Sequence, residues 1–358
     1  MQYSVDIFFY FAVPRFAILA IDEESSRSAE MERRCKIGSL KWLSKIRASC
    51  HWEKMIAGAK ELLIHQQFWK QKEANGLAYE RQVNFIKVLE TFIRGKAGAD
   101  ACEDAYHLSE HFAAVIDGVT SKSAYRKDGK STGKLAAELV QEVIAKLPPD
   151  STAEAFVLAV NNVFDAFYRE NHFPDDPVEK GLQAVCIIYS AFRREIWMIG
   201  DCQAMVDGCI YQNPKKSDEI IAELRALDMA CLKKKQPELS RMERMQEARE
   251  AIVPWILKAT CFANDAASPY GYSVLNGRPV PKALIKIIPL NDNAHEVILA
   301  SDGYPILKQS LAETEDALTK LLQEDPACYK AYHTTKGVSQ GWESFDDRTY
   351  LHVSIEKK

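Results

Sequence analysis

The chain has 358 residues, of which 47% are hydrophobic, and a formal charge of −4. That is enough apolar mass for one large domain with an appendage, or for two domains, and the slight acidity offers no general attraction to nucleic acid or to an anionic membrane. The nine cysteines are scattered, odd in number and without a CxxC pair, which disfavours a zinc site or a disulfide framework and points to a reducing, cytoplasmic setting.

The first apolar stretch, "SVDIFFYFAVPRFAILAI" (4–21), is broken by Asp6, Pro14 and Arg15 and followed by acidic residues. Neither a signal peptide nor integral membrane insertion is expected from it. Residues 25 to 80 are rich in Lys, Glu, Ala and Leu with apolar spacings of three and four, so 1–82 reads as a mostly helical N-terminal extension of accessory role. From residue 83 onward short strand-like runs dominate: "FIKVLETFIRG" (85–95), "HFAAVIDG" (111–118), "AVCIIYSAF" (184–192), "EIWMIGD" (195–201), "ALIKIIPL" (283–290), "HEVILASDG" (295–303) and "TYLHVSI" (349–355). Helical patterns lie between them at 133–147, 151–170, 217–235, 238–260 and 311–323. Strands so close in sequence favour antiparallel pairing with helices outside, an α+β layout, with a helical insertion at about 215–260.

Three of the strand-like runs end in an aspartate: Asp117, Asp201 and Asp302. A fourth run opens with Asp346 and Asp347. Each Asp-Gly pair is also a tight-turn signal, so Asp117 reads either as hairpin chemistry or as a ligand. Carboxylates at one edge of a sheet repel one another unless a hard cation lies between them, which makes a divalent metal site conceivable.

The order of these segments resembles the type 2C family of metal-dependent Ser/Thr protein phosphatases, from about Val88 to Ile355. "CEDAYHLSEHFAAVIDG" resembles the family's opening hairpin, with Glu103 and Asp104 as its acidic pair and Asp117-Gly118 closing the next strand. "GDCQA" (200–204) stands at the family's Gly-Asp-Ser-Arg-Ala segment, "VILASDG" supplies Asp302, and "DDRT" supplies Asp346, Asp347 and Thr349. The resemblance implies a four-layer αββα sandwich of two antiparallel sheets flanked by helices. It also implies two Mg or Mn ions bridged by Asp117, one completed by Asp302 and Asp346 (or Asp347), the other by Glu103 and the Gly118 carbonyl. Asp104 would orient metal-bound waters, and Asp117, Asp302 and Asp346 would act in catalysis through a metal-activated water.

The sequence also departs from the family. Ala99 stands where an arginine usually grips the substrate phosphate, and the turn after Asp-Gly is replaced by "VTSKSAYRKDGKS". The cations that could serve the phosphate instead are Lys96, three residues further back, and Lys122 in the altered loop. "DGKST" lacks the glycine a phosphate loop requires five residues before Gly129, so Lys130, Ser131 and Thr132 read as a helix start. The expected function is metal-dependent hydrolysis of phosphoserine or phosphothreonine in a protein partner. A pseudophosphatase binding or regulatory module and a hydrolase of small phosphoesters are the alternatives.

Overall fold

The computed structural model describes residues 84–98 and 101–357, to which every structural statement below refers; the expected helical segment 1–82 and Ala99 lie outside them. In Phe112–Gly118 all side chains from Phe112 to Ile116 are buried, and they divide by alternation. Phe112, Ala114 and Ile116 face one core while Ala113 and Val115 face another. A strand with two apolar faces belongs to a sheet covered on both sides.

That strand, β3, sits in a five-stranded sheet with β2 (Ala105–Leu108), β4 (Ala184–Ser190), β5 (Glu195–Ile199) and β8 (Lys286–Pro289), ordered β2-β3-β4-β5-β8. The second sheet holds β1 (Asn84–Arg94), β6 (Gln203–Val206), β7 (Cys209–Tyr211), β9 (Glu296–Ala300) and β10 (Arg348–Lys357), ordered β1-β10-β9-β6-β7. Every pairing is antiparallel. Val115, Ile187 and Met198 of the first sheet meet Val297, Leu299, Leu351 and Val353 of the second in the central core.

Helices α1 (Thr132–Ala145) and α2 (Ala153–Glu170) cover the first sheet, packing Val140, Ile144, Phe156 and Phe164 against Ile116, Ile188 and Trp197. A short helix, α3 (Pro177–Lys180), leads into β4. On the far side Leu318 of α6 (Leu311–Glu324) packs with Ile298, Ala300 and Tyr350. The result is the αββα sandwich, with six helices among the described residues. No described helix is long and apolar enough to cross a membrane.

The remaining helices, α4 (Lys216–Lys235) and α5 (Arg241–Ala259), lie between β7 and β8 in sequence and pack on each other around Ile221, Met229, Met245, Ala248 and Ile252. Ser240 and Glu243 form a reciprocal cap at the start of α5. Arg225 of α4 is buried and donates to the carbonyls of Ala327, Cys328 and Thr334 at 3.0–3.1 Å. Arg249 of α5 donates to Thr335 O at 2.8 Å. The helix pair thereby holds the loop that leads to Lys336.

Candidate active site

Register carries the acidic residues to one end of the sandwich. Asp117 pairs with Val185 and Gly118 with Ala184, while Ile199 pairs with Cys186, so the end of β3 and the turn after β5 share an edge. In the other sheet Ala300 is opposite both Tyr350 and Gln203. This sets Asp302, just past β9, beside the start of β10 and beside Asp201. Asp117-Gly118 forms no hairpin turn: Val119 N continues the ladder to Gln183 O at 3.0 Å, and a loop then leads to α1. The "DGKST" segment starts that helix, with Ser131 Oγ accepting from Lys134 N. Gly200 turns the chain after β5 at φ +92°, where a Cβ would strike Val185.

Asp117, Asp201, Asp302 and Asp346 line one cleft of about 250 Å³. Burial raises the carboxyl of Asp117 well above the usual range, and Asp104, Asp346 and Asp201 raise it further by repulsion. Asp302 is raised the same way, by burial and then by Asp117, Asp346 and Asp201. Its Oδ1 is buried and has no hydrogen-bond partner among the described residues. Asp104 is fully buried and pushed up to about 8 by burial and then by Asp347; Thr349 donates to its Oδ2 at 2.7 Å, and its Oδ1 has no described partner. Cys202, 1% exposed, has its thiol pushed well up by burial and then by Asp117 and Asp201, a structural thiol rather than a nucleophile.

Asp346 and Asp347 have separate surroundings. Asp347 is 3% exposed and accepts from Lys96 N (2.8 Å), Lys96 Nζ (3.0 Å) and Glu103 N (3.1 Å), fastening the end of β1 to the acidic pair. Asp346 faces the cleft, with Lys336 Nζ at 2.6 Å from Oδ2 and Lys96 Nζ at 3.2 Å from Oδ1. Burial alone would raise its carboxyl, but Lys336 and Lys96 outweigh burial and hold it below the ordinary value.

Glu103 and Gly118 meet beside α1. A Cβ on Gly133 would lie 2.6 Å from Val119 O, 2.8 Å from Glu103 Oε1 and 3.0 Å from Gly118 O, so three oxygens converge where this glycine leaves room. Ser131 donates to the same Glu103 oxygen at 2.5 Å. Among the described residues no three His, Cys, Asp or Glu side chains form a ready metal cage. The donors facing the cleft are nonetheless all oxygen, mutually repelling and in part unpartnered, and such a set fits hard divalent cations.

Lys96, read from the sequence as a phosphate ligand, is 6% exposed, and its ammonium contacts Asp347, Asp346 and, at 3.7 Å, Glu103; it does not line the cleft. Lys122 does line the cleft, with Nζ donating to Thr120 O at 2.7 Å. Further charged groups on the cleft wall lay outside the sequence-read site, among them Asp201, Lys215, Asp218, Lys336 and Arg249. Asp201 carried a signal as a strand-end aspartate; Lys336 and Arg249 carried none, one lying in a loop and the other on a charged helix.

By sequence the chain matches no family model and no curated protein. Its fold is similar to solved Ser/Thr phosphatases at low identity. The catalytic domain of the serine/threonine protein phosphatase PstP, in complex with two manganese ions, is 16% identical with a TM-score of 0.42, covering 76% of this chain and 99% of that one. Stp1 from Staphylococcus aureus is 15% identical with a TM-score of 0.39, covering 75% and 94%. RsbX in complex with magnesium is 12% identical with a TM-score of 0.37, covering 76% and 100%.

Proposed function

We propose that this chain is a metal-dependent phosphomonoester hydrolase of the type 2C kind, acting on phosphoserine or phosphothreonine in proteins. The observation that carries the reading is the convergence of Asp117, Asp201, Asp302 and Asp346, from both sheets, into one cleft where burial and then repulsion from the neighbouring carboxylates raise Asp117 and Asp302. Asp117, Asp302 and Asp346 would hold one cation, and Asp117, Glu103 and the Gly118 carbonyl a second. Mg or Mn so bound supplies an acidified water and neutralises phosphoryl charge. The chain's own part is positional: Asp104 is held by Thr349, Glu103 by Ser131 and by the Asp347 clamp on its backbone, and the central sheet core keeps the strand ends in register.

A second reading, a catalytically silent binding module on the same sandwich, is favoured by one feature. Asp346 already has an ammonium group on each oxygen, so part of the acidic charge is neutralised from within. The test is hydrolysis of p-nitrophenyl phosphate and of a phosphothreonine peptide by chelator-treated protein, with and without added Mn²⁺. Metal-dependent turnover of both, lost in Asp117→Asn, is the expected result; Mn²⁺ binding with no turnover of either establishes the silent module.

A further inference from the structure

The cleft that holds the carboxylates is also lined by cations. Lys122, Lys336 and Arg249 all line it, brought there by three separate elements: the loop after β3, the loop before β10, and α5. Thr120 gathers two of them, since its carbonyl accepts from Lys122 Nζ at 2.7 Å and its hydroxyl from Lys336 Nζ at 3.3 Å. Arg249 reaches the same place through Thr335, the residue before Lys336.

These cations outnumber their partners. Of the three, only Lys336 has a carboxylate within ion-pair distance among the described residues, Asp346. An ammonium carries three donors and a guanidinium five, and each group here spends only part of its set on the chain. Burial, and then the neighbouring Arg249 and Lys336, push the Lys122 ammonium down to about 8. Lys122 and Arg249 thus bring donors to the cleft that no described carboxylate takes up at ion-pair distance, and an entering anion can accept from them. Three convergent donor groups match the three acceptor oxygens and the charge of a phosphate monoester dianion.

We infer that Lys122, Lys336 and Arg249 form the grip for the substrate phosphate, the part that the family resemblance gives to an arginine at position 99. The inference rests on the phosphatase reading for the identity of the anion. It assigns α5 a direct part in substrate binding, because Arg249 is the one planar fork of the three and can meet two phosphoryl oxygens at once. It also relieves Lys96 of that duty, since three carboxylates hold its ammonium.

The test measures binding rather than turnover. Inorganic phosphate is titrated into the chelator-treated full chain and followed by phosphorus NMR, for wild type, Lys122→Ala, Arg249→Ala, Arg249→Lys and a surface control, Lys146→Ala. Saturable binding by wild type is expected, weakened about tenfold or more in Lys122→Ala and Arg249→Ala. Arg249→Lys should fall between, and the control should match wild type. Should Arg249→Ala fail to fold, as judged by circular dichroism, Lys122→Ala decides the matter from its loop position. Absence of phosphate binding by wild type, or equal binding by Lys122→Ala, overturns the grip. Because no metal is present, phosphate binding that follows this pattern without any Mn²⁺-dependent hydrolysis would leave the grip standing and refute only the hydrolase reading.

Discussion

Lys336 Nζ lies 2.6 Å from Asp346 Oδ2, which joins the cations of the cleft to its carboxylates. One carboxylate thus faces two claims, from an internal ammonium and from the cation that the acidic cluster as a whole attracts. An ammonium with a mobile four-carbon stem can yield to a divalent ion in a way that a locked guanidinium cannot.

Removing that competitor should therefore strengthen metal binding. Lys336→Met keeps the apolar stem and deletes the charge, and Mn²⁺ affinity measured by calorimetry should rise about tenfold, equivalent to ~1.4 kcal/mol. Unchanged or weaker Mn²⁺ binding in this variant would mean that Lys336 does not contend for Asp346.

Asp346 and Asp347 should separate by phenotype despite being neighbours. Asp347→Ala takes from the buried Lys96 ammonium its 3.0 Å partner, leaving it Asp346 and Glu103, and strands two backbone donors, and unfolding in urea should show a loss of about 2–6 kcal/mol, at ~1–3 kcal/mol for each buried donor left unpaired. Asp346→Ala should cost much less stability and abolish one Mn²⁺ site. Equal stability losses in the two variants would remove the distinction between clamp and ligand.

Most of the frame was legible in the sequence, because it rests on local rules. The apolar runs of β3, β4, β5, β9 and β10 each alternate between a core on either face of their sheet, and the cap at Ser131 stands where the sequence placed a helix start. The acidic cluster was legible for a similar reason: a strand's end fixes where its last residue lies. Asp117 was ambiguous, since Asp-Gly ends a strand and opens a hairpin equally well, and the pairing of Gly118 with Ala184 resolves it. The cationic lining was not legible. Arg249 belongs to a helix whose buried residues are Met245, Ala248, Ile252 and Ala259 and whose other faces carry many charges, so nothing in the sequence singles it out, and its approach to Lys336 depends on the packing of α5 against the 327–337 loop. Nor was the burial of Lys96 against Asp347 legible, because proximity in sequence to position 99 says nothing about it.

A pH effect follows from Lys122. Its ammonium is lowered from 10.5 to about 8 by burial and by Arg249 and Lys336, with Glu103 and Asp346 opposing. The folded state therefore disfavours its proton. Below about 8 the cost is fully present; from there to 10.5 the unfolded chain binds more protons, and stability rises with pH. In phosphate-free buffer Lys122→Met should melt above wild type at pH 7, and the gap should narrow as pH rises through this window. A gap that stays constant from about pH 7 to 10.5 would show that Lys122 is not electrostatically strained.

The most direct measurement is calorimetric titration of Mn²⁺ into the chelator-treated full chain, compared between wild type and Asp117→Asn. Asp117 is the one carboxylate assigned to both cations, so wild type should bind two ions and the variant, which keeps the side-chain volume, should lose both high-affinity sites. Saturable binding of two ions by Asp117→Asn with wild-type affinity, or no Mn²⁺ binding by wild type at all, would contradict the assignment of this strand-end cluster as a metal centre.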